Sequence, residues 1–438
     1  MSETIRTLDT RDGGFERALA GLRATQERDT ARAESVAAEI VRAVRRRGDS
    51  ALVAYARKFD GIRLTPATMR VPDAELDAAV AALPRRVVAA LRLAARRIRA
   101  FHAKQRQASW SYRDATGLVL GQQITPLRRV GVYVPGGKGA YPSSVLMNVV
   151  PARVAGVDEV LMVSPAGEQG HPIAVLAAAR IAGVDAVYRI GGAQAVAALA
   201  YGTKSVPRVD KIVGPGNAYV QAAKRQVYGQ VDIDATAGPS EVLIIADGTA
   251  DPRYVAADLL AQAEHGSGDE CAILLTTSRR VAAAVAREID RQLPDLPRRI
   301  DIARVLKRRG ALIVVRNIDE AIDLAEQIAP EHLEIQARNA RQIAGRLRNA
   351  GAIFCGDEAP AALGDYLAGP NHVLPTGGSA RFFSPLGVYD FVKRTSVVVA
   401  PRGSLRSLAP AVETLAELEG YQAHAAAVRI RRRDGAPR

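Results

Sequence analysis

The sequence predicts an α/β protein built on two Rossmann-like, doubly wound parallel sheets, with a helical N-terminal segment and a C-terminal arm. Three observations predict it. From about Leu118 onward, short β-branched runs alternate with Ala-rich stretches of helical length, and strands alternating with helices make parallel sheets. Several strands of the first run end in Gly-rich turns, the place where such sheets bind ligands. The composition, 48% hydrophobic and 24% charged over 438 residues, is that of a folded chain long enough for roughly two to four domains.

The elements follow in order. Residues 1–14 read as an N-terminal arm. Residues 15–55 and 73–101 place apolar side chains at helical spacing among charges. Residues 130–134 form a strand that runs into Pro135-Gly136-Gly137, and 145–156 a helix that Pro151 should kink. Then come strand 160–163, helix 172–182, strand 186–190 ending in Gly191-Gly192, and helix 194–201. Strand 211–213 ends in Gly214-Pro215-Gly216 and leads into helix 218–227. A second run has strands at 242–246, 271–276, 311–315, 333–335 and 352–355, and helices near 253–264, 278–292, 318–328 and 338–349. The last part has one apolar run, 396–400, and a helix from about Ser404 through His424. The chain divides into a 129–237 Rossmann-like domain, a domain of 15–128 with 238–383, and a 384–438 arm. The N-terminal helices are expected to pack on the second run.

Several function classes are excluded early. Lys and Arg number 60 against 46 Asp and Glu, a net charge of +14, but the basic residues are scattered as doublets and only 429–433 is dense. With aromatics at 5%, stacking platforms for nucleic acid are scarce. No apolar run approaches the roughly 20 residues that span a bilayer; the most apolar region, 145–162, is broken by Pro151, Arg153, Asp158 and Glu159. The leading MSETIRTLDTRDGG has no apolar signal core, and Cys271 and Cys355 can form neither a disulfide framework nor a Cys-based zinc site. The expected compartment is a reducing cytoplasm.

The candidate chemistry sits on a few motifs. Neither Gly214-Pro-Gly216-Asn217-Ala-Tyr219 nor Gly137-Lys-Gly139-Ala-Tyr-Pro142 completes a GxGxxG fingerprint, yet turns that open helices still attract phosphate. Histidine occurs only six times, so its placement matters. His102 reads as solvated and His171 as a turn residue. Gln262 and His265 share one face of a helix that Gly266 ends; they suit either a pair of metal ligands or a helix-end histidine meeting the macrodipole, and the motif alone favours the second. Glu331-His332 before a strand suits acid–base work or an exposed connector. Asp365 and His372 flank a Gly/Pro-rich loop, and His424 follows Glu419 by five residues. Cys355 reads as core rather than nucleophile.

Taken together, the segments Gly131-Val-Tyr-Val-Pro-Gly-Gly137, Gly191-Gly-Ala-Gln194-Ala, Val209-Asp-Lys-Ile-Val-Gly-Pro-Gly-Asn217, Ala237-Gly-Pro-Ser240-Glu241-Val-Leu243, Gln262-Ala-Glu-His265-Gly266, Pro330-Glu331-His332-Leu333 and Asn371-His-Val-Leu-Pro-Thr376 closely resemble the histidinol dehydrogenase family, in the family's order. The resemblance implies oxidation of L-histidinol to L-histidine in two NAD-dependent steps through bound histidinaldehyde, with zinc. It implies Gln262, His265, Asp365 and His424 as zinc ligands and Glu331 and His332 as the acid–base pair. Ser240 and Glu419 become substrate contacts, and Tyr133, Gln194 and Asn217 NAD contacts. It also implies a homodimer whose C-terminal arms exchange, each chain giving His424 to its partner's site. His372 carries no assigned role. Three rivals are weaker. An enzyme on the same scaffold oxidising another alcohol is disfavoured by Glu419 and His424, an NAD-free metal hydrolase by the Gly turns, and a nucleic-acid binder by the scattered charge.

Overall fold

The computed structural model describes residues 4–23, 27–136, 139–167, 170–235, 238–265, 268–401 and 403–434. It contains two all-parallel sheets, as the alternation requires. The first orders its strands Ala186–Tyr188, Glu159–Val163, Arg129–Tyr133, Lys211–Val213 and Asp232–Ile233. The second orders them Arg6–Asp9, Gly310–Val314, Cys271–Thr276, Glu241–Ala246, His332–Gln336 and Ala352–Cys355. Each sheet grows outward from its first long strand and then reverses. The switch lies beside Arg129–Tyr133 in one and between Glu241–Ala246 and His332–Gln336 in the other. Helices cover both faces, so inner strands such as Gly310–Val314 are buried along their whole length.

The N-terminal region departs from the sequence expectation in two ways. Residues 6–9 are no free arm but an edge strand, paired in parallel with Gly310–Val314. Helix Phe15–Arg23 does bury Phe15, Leu19 and Leu22 on the second sheet. The later helices, however, pack on the first sheet. Glu27–Arg47 and Asp49–Tyr55 put Ile40, Val44 and Leu52 beside Leu161 and Leu199, while Asp73–Ala82 and Arg85–Ala103 put Leu76 and Ile98 beside Val130 and Val132. The cause is the composition of the first run. Helices Gly192–Tyr201 and Ile173–Ala182 are apolar nearly all round, so they need a second helical layer outside them.

Other differences are smaller. Residues Trp110–Arg113, Val119–Pro126 and Val392–Val399 form a three-stranded antiparallel sheet joined across most of the chain, which local pattern does not reveal. The C-terminal helix is two helices, Leu405–Leu418 and Gln422–Asp434, separated where Gly420 takes a left-handed φ of 81°. A helix at Arg299–Arg309 was missed among its many charges, although Ile302, Val305 and Leu306 are buried at helical spacing. The 338–349 helix shrinks to Ala340–Ala344. His102 is buried rather than solvated, its ring bonded to the Ile98 carbonyl, and His171, at a bend before its helix, is buried with its ring bonded to the Ser164 carbonyl. No described helix is long and apolar enough to cross a membrane.

Helix Ile318–Ile328 ends on Ala329, at φ 51°. Among the described residues it is the one non-glycine with positive φ, and it is fully buried directly before Pro330-Glu331-His332. A left-handed alanine costs about 1–2 kcal/mol, part of which glycine's greater freedom in the unfolded chain offsets. Ala329→Gly also loses a buried methyl worth about 0.8 kcal/mol, so it is expected to leave stability within about 1 kcal/mol in urea unfolding; a loss of about 1.5 kcal/mol or more would show that the backbone here is unstrained.

Candidate active site

The site begins with strand register. His332 pairs with Val242 in the second sheet, so the amino ends of the two strands lie side by side. The backbone of Glu241 then holds both members of the predicted acid–base pair. Its N–H donates to Glu331 Oε2 at 2.9 Å, and its carbonyl accepts from His332 Nδ1 at 3.1 Å. A carbonyl can only accept, so Nδ1 carries the proton and Nε2 faces the site. Glu331 Oε2 lies 3.6 Å from Nδ1, and Asp365 Oδ1 lies 3.4 Å from Nε2. That second contact is electrostatic, and Nε2 is buried without a hydrogen-bond partner among the described residues.

Burial sets the electrostatics. It pushes the Glu331 carboxyl up to about 7, against the pull of His332. Burial alone would lower His332, but Glu331 and Asp365 outweigh it and raise the ring to about 9. Burial also pushes Asp365 up, yet its contact with His332 and the nearby His372 and His265 hold it below the usual range. His372 donates from Nδ1 to the Asp365 carbonyl at 2.9 Å, and burial lowers its pKa despite Asp365. The structure thus adds His372, given no role from sequence, to the same cluster. Cys355 is partly buried with its thiol pushed up, in keeping with a packing role.

Gln262 and His265 close helix Pro252–Ala263, which Asp251 caps. His265 Nδ1 meets the Gln262 carbonyl at 3.1 Å, leaving its Nε2 lone pair free to point elsewhere. The Gln262 side chain is buried, and its Nε2 has no partner among the described residues. Gly266 lies outside the described residues. Among those described, no three His, Cys, Asp or Glu side chains stand ready to hold a metal, and Gln262, His265 and Asp365 supply only two of those types. Ser240 is half-buried just ahead of its strand. Glu419 and His424 are not brought to this cluster. Both are exposed on the C-terminal helices, and the His424 ring packs on Tyr421.

The Gly turns lie at the carboxyl end of the first sheet. Tyr133 is buried, and its hydroxyl accepts from the Gly192 N–H at 3.0 Å. A Cβ on Gly214, at φ 110°, would overlap the Tyr133 carbonyl, so only glycine lets these strands end so close together. Gln194 is buried, whereas Asn217 is exposed and caps helix Ala218–Val227 by accepting from Tyr219 and Val220, each at 3.1 Å. A buried Lys224–Asp234 ion pair that sequence reasoning missed pins this turn. Lys224 donates to the Gly214 carbonyl at 3.1 Å, and Asp234 accepts the Gly214 N–H at 2.7 Å. The loop after Asp365 bridges the two sheets. Asn371 donates to the Met147 carbonyl at 2.7 Å, Thr376 accepts from Gly238, and Val373 and Leu374 line a small cavity with Gly214 and Pro215. The amino end of the second sheet therefore faces the carboxyl end of the first.

The family model described as histidinol dehydrogenase matches residues 23–432. The chain belongs to the histidinol dehydrogenase family. It is therefore an oxidoreductase. Its sequence is 52% identical over 433 residues to a histidinol dehydrogenase of Syntrophotalea carbinolica, covering 98% of this chain and all of that one. It is 53% identical over 438 residues to that of Ralstonia nicotianae, covering 98% of each. The crystal structure of histidinol dehydrogenase from Elizabethkingia anophelis superposes with a TM-score of 0.91 at 33% identity, again over 98% of each chain.

The buried cluster has a consequence for stability. Glu331 keeps its proton to about 7 when folded but releases it near 4.5 when unfolded, so its contribution falls as pH rises through that window. His332, raised from 6.5 to about 9, stabilises the fold below 6.5 and loses that contribution as pH rises toward 9. With metal chelated, urea stability should decline from pH 5 to 9. Glu331→Gln should abolish the first window and narrow the second, because Glu331 and Asp365 together raise His332 and only Asp365 remains, a change of up to about 1.4 kcal/mol per pH unit. Parallel decline in both proteins would contradict this picture of the cluster.

Proposed function

We propose that this chain oxidises L-histidinol to L-histidine in two NAD-dependent steps through bound L-histidinaldehyde, with one zinc per subunit, as a homodimer that shares its active sites. The observation that carries the reading is the convergence of Glu331, His332, Asp365 and His265 from three separate segments, in a chain of this family. The donor set suits zinc. The Gln262 amide is buried with its NH₂ unpartnered among the described residues, so nothing there holds the amide against turning its oxygen to an ion; His265 leaves its Nε2 lone pair for a ligand, and Asp365 adds the charge. Gln262, His265 and Asp365 of one chain and His424 of a second copy would hold the ion. The exposed apolar side chains Leu415, Leu418 and Tyr421 beside His424 support an arm that packs on another chain. Tyr133, Gln194 and Asn217 stand at the first sheet's turns, suited to the dinucleotide.

When bound, zinc would orient and polarise the substrate, and NAD would take one hydride in each step. The protein's residues handle the protons. His332, its ring fixed by the Glu241 carbonyl, accepts the alcohol proton on Nε2 when neutral, as it would be once a bound metal takes up the Asp365 charge that helps to raise the ring, and Glu331 stabilises the resulting imidazolium. Glu331, tuned by burial toward neutral pH, takes a proton from the water that adds to the aldehyde. The hydrate then gives up the second hydride, so one water oxygen enters the carboxylate. Ser240 and Glu419 contact the substrate.

The direct test supplies purified protein with L-histidinol and NAD, and counts two NADH per histidine formed. No NADH, or one NADH with aldehyde accumulating, overturns the reading. His265→Asn should lose zinc and activity together, by more than about 100-fold. His332→Asn should slow the alcohol step, and Glu331→Gln the oxidation of supplied aldehyde, each by about 10²–10⁴-fold. Sharing of sites has its own test. Homodimers of His265→Asn and of His424→Asn are both inactive, but a refolded equal mixture should regain roughly a quarter of wild-type activity, because heterodimers concentrate both lesions in one site. A mixture that stays inactive while wild-type controls refold would place His424 in its own chain's site or in none.

A further inference from the structure

Behind the acid–base cluster lies a second buried polar group. Strand His332–Gln336 alternates its side chains, so Glu334 and Gln336 share the face that carries His332. The two are 1% and 2% exposed. Asp258 stands one helical turn before Gln262, on the same face of helix Pro252–Ala263. Gln336 Nε2 donates to Asp258 Oδ2 at 2.8 Å and to Glu334 Oε2 at 3.2 Å. One amide thus holds the Asp258 and Glu334 carboxyls side by side, and two buried carboxyls that share a donor do not both stay ionised, so one keeps a proton. Burial, reinforced by the Asp258 charge, raises Glu334 to about 8 and keeps that proton in place. The other Glu334 oxygen, Oε1, accepts the N–H of Ala361 at 2.8 Å. Ala361 begins helix Ala361–Tyr366, and Asp365 sits one turn along it.

We propose that the Asp258–Glu334 pair, completed by Gln336, is the positioning clamp of the candidate metal site, tying together the helix of Gln262, the strand of His332 and the short helix of Asp365. The proposal rests on the reading of Gln262 and Asp365 as metal ligands, and extends it to residues outside that ligand set. An apolar pair would fill the space with less desolvation cost, but it would leave the Ala361 N–H and the Gln336 amide unpaired and the three elements untied. None of the three residues reaches a reacting atom, so they act through the groups they hold.

Three variants test it: Glu334→Leu, Glu334→Gln, and Asp258→Ala at the half-buried end of the pair. Two measurements are made on each. One is amide hydrogen exchange of residues 361–366 in metal-free protein; the other is zinc affinity by competition with a fluorescent chelator. Glu334→Leu should speed that exchange at least about tenfold and weaken zinc by about 10–100-fold. Glu334→Gln should restore both to within about threefold of wild type, because its amide oxygen still accepts from Ala361 and its NH₂ can donate to Asp258, only the 3.2 Å bond from Gln336 being lost. Asp258→Ala should fall between, and it decides the matter if Glu334→Leu does not fold. Wild-type exchange or wild-type zinc affinity in the folded Leu or Ala variant overturns the clamp, as does a Gln variant no better than Leu. If unaltered protein takes up no zinc, the metal reading fails separately, and exchange of 361–366 alone judges the clamp.

Discussion

The site depends on one pairing, the parallel register that sets His332 opposite Val242. Side chains on a strand alternate, so a slip of one residue would turn His332 and Glu334 to the other face and separate them from Gln262 and Asp365. The register also brings the Glu241 backbone to Glu331 and His332, whose carboxylate and ring it holds by one N–H and one carbonyl. Gly351 guards the far side. A Cβ there would come within 2.5 Å of the Glu331 carbonyl, so the neighbouring strand can approach only with glycine.

The site inverts the usual rule for open sheets. Ligands normally gather at the carboxyl ends of parallel strands, and the Gly turns of the first sheet obey. Glu331 and His332, the proposed acid–base pair, sit instead at the amino ends of the central strands of the second sheet. Helix Pro252–Ala263 leads back to that end, which is why His265, just past its last turn, comes within electrostatic reach of Asp365. The two sheets thus meet end to end, with the loop after Asp365 spanning the gap. On the proposed reading, the Gly turns of one sheet would take the dinucleotide and the cluster of the other would handle protons, an arrangement that a hydride transfer from substrate to cofactor needs.

Much of this was legible in the sequence because it is local. Strands of both sheets, the Gly turns and the motif residues Glu331, His332, Gln262, His265 and Asp365 are written in short patterns. What was not legible needs distant partners. The pairing of Val119–Pro126 with Val392–Val399 leaves no hairpin signal, and the choice of sheet by the N-terminal helices depends on how apolar the covering helices are. Buried charges were missed for the same reason. Glu334 between Leu333 and Ile335 reads as an exposed strand position until both faces of the sheet are known to be covered, and Lys224 reads as solvated until Asp234 is found beside it. His424 and Glu419 stay apart from the cluster within one chain; on the proposed reading, a second copy gives them a place in it.

The claim at the centre is that residues scattered over 262–424 converge on one ion at the amino end of the second sheet. Anomalous diffraction at the zinc edge, on crystals of the zinc-loaded protein, tests it most directly. The account predicts one strong peak per chain, bounded by Gln262, His265 and Asp365 of that chain and by His424 of another. A peak at the first sheet's turns, a site lacking Asp365, or His424 reaching the ion of its own chain would contradict it.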